Sequence, residues 1–360
     1  MGVSFADKKL GLSLSGGGVR AMAFHAGVLK FLAKNEVLKN VTNISSVSGG
    51  SLFTGLVFHN AGYKWPDGKA YLIHVLPKIR RMLTTTSIQT EGIRSLFTPE
   101  NWKNFLHRGE IVADTIEELW GIHTTLKDLP TKPAWAINGT NGENGRRFRF
   151  KNATMGDYKT GYTDASDFKL AKAMAVSAAF PIGIGPIEIT TGNYVWERET
   201  AWGSGVKETV PPVYESIHIY DGGLYDNLGS EAFYEVGEQK IKPHVKDLDF
   251  LIISDAGLPF RDTALIKPFS LDRAAKLVSI LMDQDRSLRV RSFMNYLKNN
   301  ENAGMYLSLS DQVLESAKST IPPADIATAR YYPTTLDQMT ERDFDTLVEC
   351  GYQVAAFNSK

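Results

Sequence analysis

Two stretches near the start of the printed sequence decide the fold: LSLSGGGVRAMAFHAGVLKFLA at residues 12–33 and ISSVSGGSLFTGLVF at residues 44–58. Each begins with a short run typical of a buried strand, passes through glycines and continues in residues that favour helix. Leu12–Ser15 and Ile44–Val47 are the predicted strands. Strand, helix, strand and helix in succession favour an α/β fold whose mainly parallel sheet is covered by helices.

The same alternation continues along the rest of the chain. Further strands are predicted at Ala134–Ile137, Phe148–Phe150, Ser216–Tyr220, Phe250–Ser254 and Met305–Ser308. Helices are predicted at Arg20–Ala33, Leu52–Phe58, Lys169–Ala179, Glu231–Gly237, Leu271–Leu297 and Arg342–Ala355. No long linker rich in Pro, Gly or Ser divides the chain. We therefore expect one domain over residues 1–360, with a helical insertion or lid at 62–130 and a mainly helical C-terminal part at 261–360 packed on it.

Composition excludes several classes of protein. Lys and Arg together number 40, and so do Asp and Glu, so the balance argues against a dedicated nucleic-acid binder. The single cysteine, Cys350, permits neither an intrachain disulfide nor a zinc site built from cysteines. The sequence shows no secretory signal pattern and no run of about 20 apolar residues that would span a membrane. We expect a cytoplasmic protein, peripheral to membranes at most, and the oligomeric state is left open.

Residues 62–108 differ from the rest in charge. They hold eight Lys or Arg residues against three acids, with aromatic side chains interleaved at Trp65, Tyr71, Phe97, Trp102 and Phe105. Basic and aromatic residues together suit an anionic membrane surface or a lid over an active site. The alternative is an ordinary helical excursion with a solvated basic face and aromatic residues that fill the core.

The first glycine run, Gly16–Gly18, follows the first predicted strand and precedes a helix. Consecutive backbone N–H groups at a helix N-terminus favour a negative charge. A dinucleotide would need an acidic residue at the end of the second strand, where Ser48 stands instead, and a nucleoside triphosphate would need a P-loop lysine motif that is absent. The remaining candidate is the oxyanion of an acyl-transfer reaction, which requires a nucleophile nearby.

Ser48 is the candidate nucleophile. Ser46-Val47-Ser48-Gly49-Gly50 approaches the G-x-S-x-G pattern of a sharp turn between strand and helix, with Ser46 in place of the first glycine. The neighbouring hydroxyls of Ser45, Ser46 and Ser51 are rivals, but only Ser48 stands at the central position of the pattern.

A serine nucleophile needs a base, and no histidine follows a core strand in a convincing position. His25 and His218 are predicted packing residues, and His123 is the best of the others. Asp221 and Asp255 each end a predicted strand and precede small residues, so position alone does not separate them, and Asp226 is a weaker third candidate.

Four motifs in order resemble the patatin-like phospholipase family: SLSGGGVRAMAFHAGVL, SSVSGGSL, AMAVSAAFPI and YDGGLYDN, between residues 13 and 227. The resemblance implies a three-layer α/β/α fold and a lipid acyl hydrolase with a Ser–Asp dyad, no catalytic histidine and no metal or other cofactor. By the same resemblance, Ser48 is the nucleophile and Asp221 its base. Gly16, Gly17 and Gly18 form the oxyanion hole, which Arg20 braces.

The resemblance further implies that Ser177–Pro181 packs near the site. Two residues depart from the family pattern, since Ala21 follows Arg20 where glycine is usual, and Ser46 opens the turn. We expect cleavage of fatty-acyl esters of lipids or phospholipids through a serine acyl-enzyme. A serine esterase or thioesterase for soluble acyl compounds and a non-catalytic acyl-lipid binding module are the alternatives. The residues that bind substrate are unassigned.

Overall fold

Strands from distant parts of the chain assemble into one mixed sheet. The structure is a computed structural model that describes residues 5, 7–96, 108–181, 183–201, 203–258 and 270–360. In this part of the chain the strands are β1 (Leu10–Leu14), β2 (Val41–Val47), β3 (Ala134–Asn141), β4 (Arg147–Lys151), β5 (Thr154–Asp157), β6 (Gly161–Asp164), β7 (Ile187–Thr190), β8 (Glu197–Glu199), β9 (Lys207–Thr209), β10 (Ser216–Asp221), β11 (Tyr234–Glu235), β12 (Lys240–Ile241), β13 (Phe250–Asp255) and β14 (Gly304–Ser308).

The centre of the sheet is parallel and one side is antiparallel. The order is β14-β13-β1-β2-β3-β4-β5-β6-β8-β9, and the pairs from β14 to β3 are all parallel. From β3 onward each strand is antiparallel to its neighbour. Every residue of β1 and β13 is buried, as expected for strands covered on both faces. Strands β11 and β12 form a separate pair.

Helices cover both faces of this sheet. Within the described residues they are α1 (Gly18–Lys34), α2 (Gly49–Asn60), α3 (Gly68–Ala70), α4 (Leu76–Thr85), α5 (Ile88–Leu96), α6 (Arg108–Trp120), α7 (Leu170–Ser177), α8 (Gly223–Asp226), α9 (Leu271–Asn299), α10 (Pro323–Arg330) and α11 (Glu341–Asn358). A π-helical turn at Tyr71–Val75 joins α3 to α4. No helix in the described ranges, not even the 29-residue α9, is both long and apolar enough to cross a membrane.

Strand β13 shows how the layers form. Phe250 and Ile252 face the core shared with α1, α2, α7 and α11, whereas Leu251 and Ile253 face a second apolar cluster with Phe293 of α9. Alternate residues of a strand point to opposite faces of its sheet. Helices therefore pack against both faces, and the predicted three-layer α/β/α architecture is confirmed.

Strand β10 lies on the same edge of β3 as β2. β4 occupies the opposite edge, where it pairs with Ala136 to Thr140. β2 pairs with β3 as far as Asn138, and β10 pairs with Gly139 and the two residues beyond it. Since β10 is antiparallel to β3, its last residue comes to rest beside the end of β2.

One predicted element is wrong. Residues 231–237, predicted as a helix, instead form a 3-10 turn at Ser230–Ala232 followed by β11. Gly229 precedes the turn in the left-handed conformation, and Phe233 and Tyr234 are buried in the cluster with α9. Tertiary packing thus overrides local helix preference here. The short antiparallel strands β5 to β9 carry too little apolar periodicity to be recognised in the sequence.

In residues 62–108, the described aromatic side chains contact the protein core. Tyr71 is fully buried and its hydroxyl donates to the carbonyl oxygen of Ala26, and the Trp65 indole donates to that of Leu38. Arg80 pairs with Asp345 and Glu341 of α11. These contacts match the core-filling alternative for this part of the segment. Phe97, Trp102 and Phe105 lie outside the described residues.

Helices α1 and α11 cross at backbone contact. A Cβ atom at Gly27 would overlap the carbonyl oxygen of Val348, and one at Gly351 would overlap that of Phe24. Two glycines, one on each helix, therefore set the distance between these helices.

Replacing Gly351 by alanine should destabilise the protein. Helix propensity alone would predict a gain of up to about 1 kcal/mol, but the new methyl group forces the helices apart at a cost of about 1–3 kcal/mol. Denaturant unfolding measures the net change. The control is Gly92→Ala in α5, where a Cβ meets only ordinary contacts at 3.7 and 4.0 Å. The contact would be contradicted if Gly351→Ala were as stable as Gly92→Ala, since both gain helix propensity and only Gly351→Ala creates an overlap.

Candidate active site

The predicted nucleophile and base lie together where β2 and β10 meet on the edge of β3. Val47 pairs with Asn138, and Asp221 pairs with the next residue, Gly139. Ser48 follows Val47 directly. Asp221 ends its strand as predicted, and β10 runs antiparallel to β3, so the end of β10 meets the end of β2. The two strand ends face each other.

Ser48 occupies a strained backbone conformation. Its φ of 50° and ψ of −121° are unusual for a residue with a side chain. Gly49 and Gly50 follow at a very close approach, since a Cβ atom on them would overlap the carbonyl oxygens of Gly18 and Leu14 respectively. Such strain is typical of a nucleophile at a sharp strand-to-helix turn.

Ser46 fits where glycine is usual because its hydroxyl has buried partners. The Trp135 indole donates to it at 2.8 Å, and it lies 2.9 Å from the Ser51 hydroxyl. Ser51 in turn contacts the Ser177 hydroxyl at 2.8 Å, and Ser177 donates to the carbonyl oxygen of Asn138 at 2.6 Å. This chain of hydroxyl groups runs beneath the Ser48 turn.

The rival serines are structural in this arrangement. Ser45, Ser46 and Ser51 are fully buried, and the Ser45 hydroxyl donates to the carbonyl oxygen of Gly229 at 2.6 Å. Ser48 is the member of the group that lines the cavity.

Ser177, at the end of α7, links the two strand ends. The Ser48 N–H group lies 3.1 Å from the Ser177 carbonyl oxygen and 3.0 Å from its hydroxyl. The same carbonyl accepts from the N–H of Gly222 at 3.3 Å. The segment that the resemblance implied near the site therefore lies against it.

The Asp221 carboxyl is buried, with 4% of the residue exposed. Burial raises its pKa to about 7, although hydrogen bonds from the Gly223 N–H and the Ser48 hydroxyl act in the opposite direction. The Gly223 N–H donates to the carboxylate at 2.7 Å. A carboxyl group with such a pKa is able to exchange a proton near neutral pH.

The two rival carboxylates have other partners. Asp255 accepts from the Gly257 N–H at 2.8 Å and lies 3.5 Å from the Arg286 guanidinium. Asp226 accepts from backbone N–H groups at 3.0 and 2.7 Å and lies 3.6 Å from Arg289. Neither lines the cavity. Tertiary contacts thus distinguish Asp221 from residues that sequence position could not separate.

The histidines lie apart from the pair. His25 is buried and lies 2.7 Å from the Ser254 hydroxyl and 2.9 Å from the carbonyl oxygen of Ser15. Burial lowers its pKa to about 4. His218 contacts Glu143 at 2.7 Å, and His123 is exposed. None of the six histidines within the described ranges lines the cavity, and His107 lies outside those ranges.

The glycine loop places two backbone N–H groups at the site. Gly17 and Gly18 have φ values of 142° and 60°, and neither N–H group has a hydrogen-bond acceptor among the described residues. The N–H of Gly16 donates to the carbonyl oxygen of Asn227 at 3.1 Å, so it is engaged. Gly16 therefore acts as a spacer, because a Cβ there would lie 2.5 Å from the Asn227 amide oxygen.

Arg20 holds this loop from behind. It is 1% exposed, and its guanidinium donates to the carbonyl oxygens of Ala256 at 2.9 Å and Tyr332 at 2.5 Å. The carbonyl of Thr335 accepts from the N–H of Val19 at 2.9 Å. The loop thus depends on residues more than 200 positions further along the chain.

A mostly apolar cavity of about 660 Å³ opens above Ser48 and Asp221. Helices α5, α6 and α9 and three loop segments, at 178–184, 257–258 and 334–336, supply its walls. Of these wall segments, the sequence motifs identified only the first loop. The cavity's apolar lining residues are Ile88, Ile111, Val112, Ala178, Phe180, Ile184, Leu258, Met282 and Leu336. Over the described ranges, no group of three or more His, Cys, Asp or Glu side chains could hold a metal ion.

Comparison with solved structures gives the same fold. The chain aligns with human GIVD cytosolic phospholipase A2 at a TM-score of 0.54 and 15% identity, covering 98% of this chain and 59% of that one. It aligns with the same human enzyme in complex with methyl gamma-linolenyl fluorophosphonate at a TM-score of 0.52 and 14% identity. That alignment covers 98% of this chain and 58% of the enzyme chain. The chain therefore spans less than two thirds of the length of these neighbours.

Comparison by sequence gives a family. No curated protein sequence matches the chain. The family model described as Patatin-like phospholipase matches residues 12–234, which contain the glycine loop, the Ser48 turn and Asp221. The chain belongs to the patatin-like phospholipase family.

Proposed function

We propose that this protein is a lipid acyl hydrolase that uses Ser48 as nucleophile and Asp221 as base. The observation that carries the proposal is the position of the strained Ser48 turn beside the buried Asp221 carboxyl, where two strand ends meet at the floor of an apolar cavity. Two N–H groups with no acceptor among the described residues, those of Gly17 and Gly18, lie in the adjoining loop.

In the first half of the reaction, the Ser48 oxygen attacks the carbonyl carbon of a lipid ester while Asp221 takes the hydroxyl proton. The carbonyl oxygen becomes an oxyanion that faces the N–H groups of Gly17 and Gly18. The ester C–O bond then breaks, and the leaving alkoxide receives the proton from Asp221. The acyl group remains on Ser48.

In the second half, Asp221 takes a proton from water as the water oxygen attacks the acyl-enzyme. A second oxyanion forms and collapses, and the Ser48 oxygen leaves with the proton returned by Asp221. The fatty acid is released and both side chains regain their starting states. No further acid or base is required, since one carboxyl group carries the proton in each half.

The cavity supports a long acyl chain as the preferred group. Its walls are largely aliphatic, and burial of each methylene group contributes about 0.8 kcal/mol. A soluble ester with a short acyl chain would leave most of this surface unused. The apolar lining thus favours lipid esters over the alternative of soluble acyl compounds.

We also propose peripheral membrane contact through residues 62–108. The basis is the positive charge of this segment, not insertion of its aromatic side chains. Lys64, Lys69, Lys78 and Arg81 are exposed on the described part of this segment. Exposed cations attract anionic lipid head groups within about a Debye length. The protein would then act at a membrane surface from the cytoplasmic side.

Ser48→Ala and Asp221→Asn should each lower hydrolysis of phospholipid vesicles by at least about a thousandfold, because each removes one half of the dyad. Release of fatty acid measures the loss. Ser51→Ala is the control, since that hydroxyl lies in the buried chain and should change turnover only a few-fold.

The same assay separates the alternatives. Activity on a short p-nitrophenyl ester or an acyl thioester with none on vesicles would favour a soluble esterase. Binding without any turnover would favour an acyl-lipid binding module. An active-site phosphonate that labels Ser51 and not Ser48 would overturn the assignment.

The pH profile of kcat/KM should rise through an apparent pKa near 7. Asp221 must be ionised to accept the Ser48 proton, and burial raises its pKa to about 7. Turnover of a substrate without ionisable groups, measured from pH 5 to 9, tests this. A profile that is flat across pH 6 to 8 would contradict the role of Asp221.

Protein stability should show the complementary effect. The folded-state pKa of Asp221 lies above its unfolded value, so its stabilising contribution is present at low pH and is lost as pH rises through about 7. Asp221→Asn stays neutral and avoids this loss. Its unfolding free energy relative to wild type should therefore increase by about 2 kcal/mol between pH 5 and pH 8.

Denaturant unfolding at the two pH values measures this difference. Asp167→Asn is the control because that side chain is 84% exposed in the folded protein. A constant difference between Asp221→Asn and wild type at both pH values would show that the folded protein does not raise the pKa of Asp221.

A further inference from the structure

Strand β4 presents three cations on one face. Phe148 and Phe150 point into the apolar core, so Arg147, Arg149 and Lys151 project from the opposite face. Adjacent residues on one face of a strand lie about 7 Å apart, so these charges repel one another. A row of like charges is unfavourable unless something of opposite sign lies nearby.

Neighbouring strands orient the middle cation. Arg149 pairs across the sheet with Gly156, and Gly156 pairs with Tyr162 on the next strand. Gly156 has no side chain, and the Arg149 guanidinium lies 4.6 Å from the centre of the Tyr162 ring. A cation–π contact of this kind holds the planar guanidinium in place. The adjacent Arg146 lies in the same way over the ring of Tyr158, at 5.3 Å.

No carboxylate in the described ranges forms an ion pair with Arg146, Arg147, Arg149 or Lys151. The nearest acids are engaged elsewhere. Glu231 pairs with Lys242 and, at 2.9 Å, with Arg289. Asp226 is held by the backbone N–H groups of its own loop and by Arg289.

Arg147 is the cation whose lack of a partner is clearest. Its Nη1 atom is buried and has no hydrogen-bond partner in the structure. Burial, and then the charge of Arg149, lower the pKa of Arg147 to about 10. A buried guanidinium N–H without an acceptor costs about 1–3 kcal/mol or more. The folded chain thus carries a positively charged group whose donor is unsatisfied.

Lys151 completes the row of cations at the end of the strand, and its residue is exposed to solvent.

We propose that the β4 face, with Arg147, Arg149 and Lys151, forms a binding site for a ligand that carries phosphate groups. Two guanidinium groups offer planar pairs of donors that match phosphate oxygens, and a lysine supplies a further charge. Several cations without acidic partners suit a multiply charged group better than a single carboxylate. The shared chemistry is a phosphate monoester or polyphosphate, carried by a soluble molecule or by a lipid head group.

This site is separate from the catalytic cavity, since none of its cations lines that cavity.

Calorimetric titration with inorganic pyrophosphate tests the site directly and does not depend on hydrolytic activity. Wild type should bind it, and Arg149→Gln/Lys151→Gln should bind at least tenfold more weakly. Lys127→Gln/Lys132→Gln removes the same charge from two exposed lysines that pair with Asp167 and Asp247, and it should bind within about twofold of wild type.

A second arm identifies the source of the phosphate. Sedimentation with phosphatidylcholine vesicles, with and without 5% of a phosphoinositide bisphosphate, is compared for the same proteins. Pyrophosphate binding without vesicle binding supports a soluble ligand. Vesicle binding that needs the phosphoinositide and is lost in Arg149→Gln/Lys151→Gln supports a lipid head group.

Thermal unfolding midpoints show whether each variant is folded. If Arg149→Gln/Lys151→Gln does not fold, the single variant Lys151→Glu replaces it in both binding measurements, because Lys151 is exposed. The proposal is overturned if wild type fails to bind either probe at millimolar concentration. It is also overturned if the two double variants bind equally well.

Discussion

Backbone contact between two turns is the constraint on which the rest of the site depends. The turn after β1 and the turn after β2 touch at Gly18 and Gly49, and Gly50 meets the carbonyl oxygen of Leu14. Side chains at either glycine of the Ser48 turn would separate these turns. At this distance the N–H groups of Gly17 and Gly18, which have no acceptor among the described residues, lie in the same cavity as Ser48, the proposed nucleophile. The parallel pairing of β1 with β2 brings both turns to the same edge of the sheet. The geometry of the site therefore follows from the topology of the sheet.

The antiparallel strand β10 determines where the Asp221 carboxyl lies relative to Ser48. A carboxylate at the end of another parallel strand would lie beside the nucleophile only if the two strands were neighbours. β10 instead enters the edge of β3 beyond the end of β2 and brings Asp221 to Ser48 head-on. It also brings Asp221 into a buried position, and burial raises its pKa. The direction of β10 and the raised pKa of Asp221, the proposed base, are therefore linked.

The sequence predicts the central strands, the main helices and the pair Ser48 and Asp221 with its glycine loop, because these depend on local pattern and on motifs. It does not predict the cavity walls. Residues such as Ile88, Ile111 and Met282 come from three helices and become neighbours only through packing. Position at a strand end alone does not separate Asp221 from Asp255, and the family resemblance is needed to favour Asp221. The structure adds a physical difference, because only Asp255 meets Arg286. The sequence also does not show why serine is tolerated at position 46, because the folded chain brings its hydrogen-bond partners Trp135 and Ser51 to it.

The glycine loop is supported from the far end of the chain, and this limits how the protein can be divided. The motifs that mark the family end by residue 234, yet β1 pairs with β13 and Arg20 bonds to the carbonyl oxygens of Ala256 and Tyr332. A fragment that ended with the motifs would leave β1 as an open, apolar edge strand, which is a template for aggregation. A fragment that keeps both the sheet partner of β1 and the contact between α1 and α11 must therefore extend through α11, well beyond the last motif.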